Sequence, residues 1–426
     1  MTQKQNSENN NHKKILIDIG SSTVKVYIAK ENQKLYYTHS IPFRKGFDPK
    51  QGLSEINKNE LIEVIEKIKN KYPKFAVKTY ATALFRELNN EAKVKLIDEV
   101  YLKTGIFLNI ISHELENFYL EVALTGKYQR KKGLLLVNIG GGSTELVVMK
   151  NRFPIEKHNI KLGISTILAK YPGVNRNIST VHLDGVVEFI KGKLPNLSNG
   201  VDEAFYNGGE LKYMQLTGYN LTQNKLFKDS NHPSIISLQD FKKKNEEIFH
   251  EVTLAYLESL MPSDPKWMHG ARACSALAQA VFEKYNINII VPSNSNLLDG
   301  VMRQEFRQVT ISGSFRKHLT HISKLRRHLV SQNIKVLSPR FIEPKNPNHE
   351  FVIFEGEENM TPLELERHHL RAILDSDALI VCNPEGYVGA SAMLEIGFSH
   401  SHGKRIIFTE VPEEFMLNTL PAEIGL

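Results

Sequence analysis

The chain has 426 residues, 41% hydrophobic and 24% charged, an ordinary globular composition with room for two or three domains. No apolar run approaches the roughly 18 residues of a membrane span, and the polar opening MTQKQNSENNNH lacks the apolar core of a secretory signal. Residues 1–12 read as a disordered tail. The two cysteines, Cys274 and Cys382, stand far apart without metal-binding spacing, which argues against a disulfide framework and fits a reducing cytoplasm. Charge is uneven: residues 1–308 hold 42 Lys and Arg against 32 Asp and Glu, a formal +10, whereas residues 309–426 hold 12 against 15, a formal −3. A basic first part suits a polyanionic ligand. No nucleic-acid motif or basic–aromatic interleaving accompanies it, so no specific nucleic-acid partner is expected. A homodimer is compatible with the sequence.

The first element is ILIDIGSSTVKVYIA, residues 15–29: an apolar strand, a Gly/Ser turn and a second strand, the pattern of a β-hairpin. A helical stripe at Leu61, Ile62, Ile65 and Ile68 follows. Next come a strand at 77–83, a helix at 94–102, a strand at 107–111 and a helix at 115–124. LLLVNIGGGSTELVVM, residues 134–149, then repeats the first hairpin, with Asn138 in the place of Asp18 and Gly140 in that of Gly20. A long helix near 238–260, a helix at 276–285, a strand at 287–291 and a helix at 296–306 close this part. At Val309 a new unit starts: a strand, a helix at 319–331, a strand at 334–337, and a Pro/Asn-rich loop (PRFIEPKNPNHE). A helix at 362–374, a strand at 378–382, a helix at 391–402 and a strand at 405–408 complete it. The alternation argues for an α/β protein: two lobes, residues 13–130 and 131–307, and a small Rossmann-like parallel domain, 308–426.

The repeated hairpins carry the first chemical expectation. A phosphate needs several N–H donors converging on a small volume, and Gly-rich turns supply them because the backbone can approach closely. Gly20, Ser21, Ser22 and Thr23 in one turn, and Gly140, Gly141, Gly142, Ser143 and Thr144 in the other, are the candidate phosphate ligands. Asp18, Asn138 and Glu145 beside the turns are candidates to hold a magnesium ion that neutralises phosphate charge.

These motifs, in this order over residues 13–306, resemble the exopolyphosphatase / guanosine pentaphosphate phosphatase (Ppx/GppA) family of the actin-like ATPase superfamily. ATALFRE (81–87) is similar to the family's Thr-x-Ala-x-Arg segment and IISHELEN (110–117) to its Ile-Ser-Gly-x-Glu-Glu-Ala segment. NIGGGSTEL (138–146) is similar to its second phosphate loop, and NLLDGVM (296–302) to its Gly-Leu-Arg-Glu-Gly signature. The resemblance implies a two-lobed actin-like fold and release of terminal phosphate from polyphosphate or guanosine pentaphosphate. It also implies Arg86 as a phosphate contact and Glu116 as the base that activates water. A carboxylate at a helix start near a phosphate site suits that role. The departures are Asn138 for Asp, His113 for Gly, Leu115 for Glu, and Leu298–Asp299 for Arg-Glu. They thin the metal shell, so the alternative is a sensing module that binds the phosphorylated ligand and regulates the last domain.

In that last domain Gly313, Ser314 and Arg316 stand at the end of the first strand, where open α/β sheets bind ligands. Residues 375–407, with Gly-Tyr-x-Gly, Glu-Ile-Gly and Gly-Lys, resemble the nucleoside 2-deoxyribosyltransferase-like family. The resemblance implies a nucleoside or nucleotide ligand and Glu395 as the nucleophile at the anomeric carbon. It also implies a pocket lined by Asp377, Asn383, Tyr387 and Gly389. His369 stands where that family carries an aspartate on the preceding helix.

Overall fold

The computed structural model describes residues 14–29, 34–126, 128, 133–150, 153–207, 210–262, 264–345, 353–355 and 357–426. The tail at 1–12 and part of the Pro/Asn-rich loop lie outside them. The described residues divide between two compact units: residues 1–118 together with 304–426, and residues 119–303. The helix read at 115–124 runs from His113 to Thr125 and passes from one unit into the other. No helix among the described residues is long and apolar enough to cross a membrane.

Within the first unit, β1 (Lys14–Ile19), β2 (Thr23–Ala29), β3 (Lys34–Ser40) and β4 (Ala76–Ala81) form a sheet in the order β3-β2-β1-β4. β2 is antiparallel and β4 parallel to β1. KILIDI is almost continuously apolar because this central strand is covered on both faces. Helices α1 (Glu55–Lys71) and α2 (Asn90–Thr104) contribute Leu61, Ile65, Leu96 and Val100 to the core beneath it. Both begin on a capping side chain, Ser54 and Asn89, which accepts a free N–H of the first turn. The strand expected at 107–111 is reduced to a bridge between Ile110 and Ala81. The Thr79 hydroxyl takes the ladder positions there, donating to the Phe107 carbonyl and accepting from the Asn109 N–H.

The second unit, entered through α3 (His113–Thr125), repeats this order. β5 (Leu134–Ile139), β6 (Thr144–Lys150), β7 (Phe153–Ile160) and β8 (Glu203–Asn207) lie as β7-β6-β5-β8, extended by β11 (Ile289–Ser293), β10 (Ser234–Ser237) and β9 (Thr222–Gln223). The chain therefore builds the same hairpin-plus-parallel-strand sheet twice. The long helix expected at 238–260 is two: α4 (Leu238–His250) and α5 (Leu254–Ser259), the latter starting on Thr253 as a new N-cap. The Arg272 guanidinium, buried in this unit, binds the carbonyls of Val174, Arg176, Asn177, Ile248 and Val252, and so organises the break.

The last domain, in the first unit, is a five-stranded parallel sheet: β12 (Gln308–Gly313), β13 (Lys335–Ser338), β14 (Ala378–Cys382), β15 (Ile406–Phe408) and β16 (Glu423–Ile424), ordered β13-β12-β14-β15-β16. This is the 2-1-3-4-5 order of doubly wound sheets. Helix α6 (Phe315–Ser331) covers the face carrying Val309 and Ile311. Helices α7 (Pro362–Asp375) and α8 (Ala390–Ser401) cover the face carrying Leu379 and Val381. A buried charge cluster joins this sheet to β4. Arg405, 3% exposed, donates to Glu423 at 2.5 Å and to Glu305 at 2.5 Å. Lys78 of β4 also pairs with Glu305, and with Glu423 at 3.5 Å. Burial works against the ionised form of Glu305, but Arg405 and Lys78 outweigh it and hold its carboxyl well below the usual range.

Candidate functional site

Both Gly/Ser turns close in the same way. The Gly20 N–H donates to the Thr23 carbonyl at 2.9 Å, and the Gly140 N–H to the Ser143 carbonyl at 2.8 Å. The first glycine of each loop thus fastens the turn instead of facing a ligand. The N–H groups of Ser21, Ser22, Gly141 and Gly142 find no backbone acceptor among the described residues. Ser22, Gly141 and Gly142 are exposed, so these loops remain sources of anion-binding N–H groups. Thr144 does not. Its side chain is fully buried and its hydroxyl donates to the Leu162 carbonyl at 2.7 Å; it anchors the loop and offers no side-chain donor to a phosphate.

The second loop rests on a neighbour that the sequence pattern had not marked. Ile164 and Ser165 donate their N–H groups to the Gly140 and Gly141 carbonyls, at 3.1 and 2.7 Å. A Cβ on Gly163 would come within 2.6 Å of the backbone of Gly140, Gly142 and Ser143. Only a glycine allows that approach. The visible signal was a Gly between a strand and a helix in KLGIST.

In the first unit, Arg86 and Glu116 meet: Nη1 donates to Oε2 at 2.6 Å, with both side chains about one quarter exposed. Arg86 sits on the 3₁₀ turn Ala83–Glu87 that leaves β4. Ala83 opens that turn at φ 46°, a left-handed value unusual for a residue with a Cβ. Thr82 ties the turn to the first loop through its N–H to the Ile19 carbonyl, 3.0 Å. Burial pushes the Asp18 carboxyl up to about 6; Lys25 opposes the shift and Glu116 adds to it. A carboxyl that burial lifts despite Lys25 would gain from a hard cation such as magnesium, which needs one or two protein carboxylates and takes its other oxygens from water and phosphate, so Asp18 fits that ion.

The equivalent place in the second unit is arranged differently. Asn138 Nδ2 donates to Glu145 Oε2 at 2.7 Å and Ser143 Oγ donates to Glu145 Oε1 at 3.1 Å. Both oxygens of Glu145 are thereby satisfied from within the loop. Here the Asn138 amide nitrogen is a hydrogen-bond donor, which leaves its Oδ1 as the atom that could meet a metal. Among the described residues no group of three or more His, Cys, Asp or Glu is gathered tightly enough to hold a metal on its own.

The last domain holds a cleft of about 1160 Å³. Gly313, Ser314, Arg316, Tyr387, Gly389 and Glu395 all line it, as expected, and Ser338 and His369 join them. Gly313 has φ 150°, and a Cβ there would meet the Cys382 carbonyl at 2.7 Å. The Tyr387 ring is held under the Lys317 ammonium, 3.7 Å from its centroid. Two expected pocket residues are not in the cleft. Asn383 is fully buried, donating to the Glu410 carbonyl and accepting from Thr409 Oγ1 and the Glu410 N–H, so it ties two loops together. Asp377 precedes β14, at the opposite end of the sheet, and accepts the N–H groups of Arg307 and Gln308, both at 2.8 Å; it fastens the domain's entry strand.

Comparison with known proteins agrees with the repeated sheet. The Ppx/GppA phosphatase family model matches residues 30–307. A crystal structure of the Aquifex aeolicus member of the Ppx/GppA family superposes with a TM-score of 0.55 at 20% identity, covering 68% of this chain and 96% of that one. An exopolyphosphatase from Cytophaga hutchinsonii gives 0.52 at 16% identity, over 69% and 97%. No curated protein matches the sequence.

Proposed function

The chain belongs to the Ppx/GppA phosphatase family, and we propose that it hydrolyses the terminal phosphoanhydride of inorganic polyphosphate or guanosine pentaphosphate. The observation that carries this reading is the Arg86–Glu116 pair beside Asp18 and the first loop. A base and a phosphate-binding cation stand in hydrogen-bond contact, each half of what the reaction needs. When a terminal phosphate arrives, its oxygens compete for the Arg86 guanidinium, which suits phosphate through its fork of donors. Glu116 is then left to accept the proton of the attacking water as the new P–O bond forms and the bridging P–O bond breaks. Asp18 would hold the magnesium ion, which supplies charge neutralisation to the phosphate oxygens when bound. The loop N–H groups bind and orient the anion. Incubation with each substrate and measurement of released phosphate tests the proposal. Binding without release from either substrate would favour the sensing reading, for which the self-satisfied Asn138–Glu145 pair is the supporting observation.

For the last domain the same proposal extends to cleavage of an N-glycosidic bond in a nucleoside or nucleotide, with Glu395 as nucleophile. The support is Glu395 in the wall of a ligand-sized cleft. Release of free base, lost in Glu395→Ala, is the measurement.

A further inference from the structure

A nucleophile that displaces a nucleobase solves half of a glycosidic reaction, because the departing nitrogen also needs a proton. Three side chains of the cleft stand in series. Ser338, at the end of β13, has its Oγ 2.7 Å from His369 Nδ1. On the other side of the ring, His369 Nε2 is 3.2 Å from Glu395 Oε2. All three line the cleft. His369 and Glu395 are 9% and 4% exposed, and neither Nε2 nor Oε2 completes a well-aligned hydrogen bond. Ser338 is only half-buried, so the series runs from enclosed groups to an accessible hydroxyl.

We propose that Ser338 is the proton donor to the leaving base and that His369 is the positioning residue that recharges it, a relay occupying the place of the aspartate in the related pattern. The inference rests on the glycosidase reading of Glu395. In the step, a Glu395 oxygen bonds to the anomeric carbon and the C–N bond breaks, its electron pair going to the base. The Ser338 hydroxyl proton passes to that base, and the His369 Nδ1 proton passes to Ser338. Water then cleaves the glycosyl ester, its hydroxyl going to the anomeric carbon and its proton back to His369. The relay needs an imidazolium. Burial opposes that charge, but the carboxylates facing the ring outweigh it: Glu395 from α8, Glu366 from its own helix and Glu357 from the preceding loop. They raise the His369 pKa above its ordinary value.

A serine–histidine–carboxylate series is not enough by itself, as the second unit shows. Ser293 Oγ, His232 and Asp229 Oδ2 stand at 2.9 and 3.2 Å, yet Ser293 and His232 are completely buried. There the series closes a core. Access to a cleft separates the two.

The test compares guanosine with 7-methylguanosine, whose cationic base leaves without a proton. In the full-length protein, Ser338→Ala is expected to slow base release from guanosine by about 100-fold or more, with KM little changed, and to leave 7-methylguanosine within a few-fold of wild type. His369→Asn should slow guanosine at least as much and, because His369 also takes the proton of the attacking water, should slow 7-methylguanosine too, with His369→Gln as a second variant should that one unfold. Glu395→Ala should lose both substrates. Equal losses on both substrates in Ser338→Ala would overturn the relay while leaving Glu395 in place. No release from either substrate by the wild type would remove the glycosidase reading and the relay with it.

Discussion

The two Gly/Ser hairpins have the same strand order, the same turn closure and opposite electrostatics. In the first, Asp18 is a buried acid lifted to about 6 with Glu116 nearby. In the second, Asn138 gives its amide proton to Glu145, and Ser143 satisfies the other oxygen. In one loop burial holds the carboxyl toward its protonated form; in the other both carboxylate oxygens accept from neutral donors. A duplicated backbone thus keeps the same turn closure in both copies while the carboxyls beside the turns are held differently.

The largest effect that sharpens this contrast is expected at the first loop. Glu116→Gln should reduce phosphate release at least about 100-fold while polyphosphate binding, followed by calorimetry, persists; unchanged turnover would remove Glu116 as the base. Next, Asn138→Asp would set two carboxylates within hydrogen-bond distance. The variant should melt lower than wild type in chelator, recover in magnesium, and show tighter magnesium dependence of turnover. Equal melting in both buffers would show that the second loop is indifferent to metal. A third measurement follows from Asp18. Its folded-state pKa is above the unfolded one, so its contribution to stability is full below about pH 4 and is lost as pH rises through about 6. Metal-free protein should therefore gain roughly 1–3 kcal/mol at pH 8 from Asp18→Asn. A stability difference that does not vary with pH would contradict this. The smallest effect is Thr144→Val, which leaves the Leu162 carbonyl without its donor. It should cost about 1–2 kcal/mol in denaturant unfolding with phosphate affinity nearly preserved.

Much of the architecture was legible because it rests on local signals. An apolar strand, a Gly/Ser turn and a second strand can form only a hairpin, and alternation after Val309 leaves few options beyond a parallel sheet. The site was legible where a side chain's neighbours in sequence are also its neighbours in space, as at Asp18 and its loop. It was not legible where a polar side chain of one segment completes another. Thr79 replaces ladder bonds, Arg272 gathers carbonyls from two loops, and Asn383 and Asp377 fasten backbone. Each is a polar residue near a strand end, the same pattern that pocket residues show. Ser338 drew no notice because its partner His369 is 31 positions away and on a different element.

The charge cluster around Arg405 has a consequence for anyone dissecting this chain. Arg405 and Glu423 belong to the last domain, and Lys78 to the first lobe. A protein cut after residue 307 would keep Lys78 and Glu305 but lose the guanidinium that burial of Glu305 relies on. Cutting there removes two of the four members of the set and, of that set, leaves Glu305 with Lys78 alone. Domain-swapped chimeras should carry Lys78, Glu305, Arg405 and Glu423 as a set.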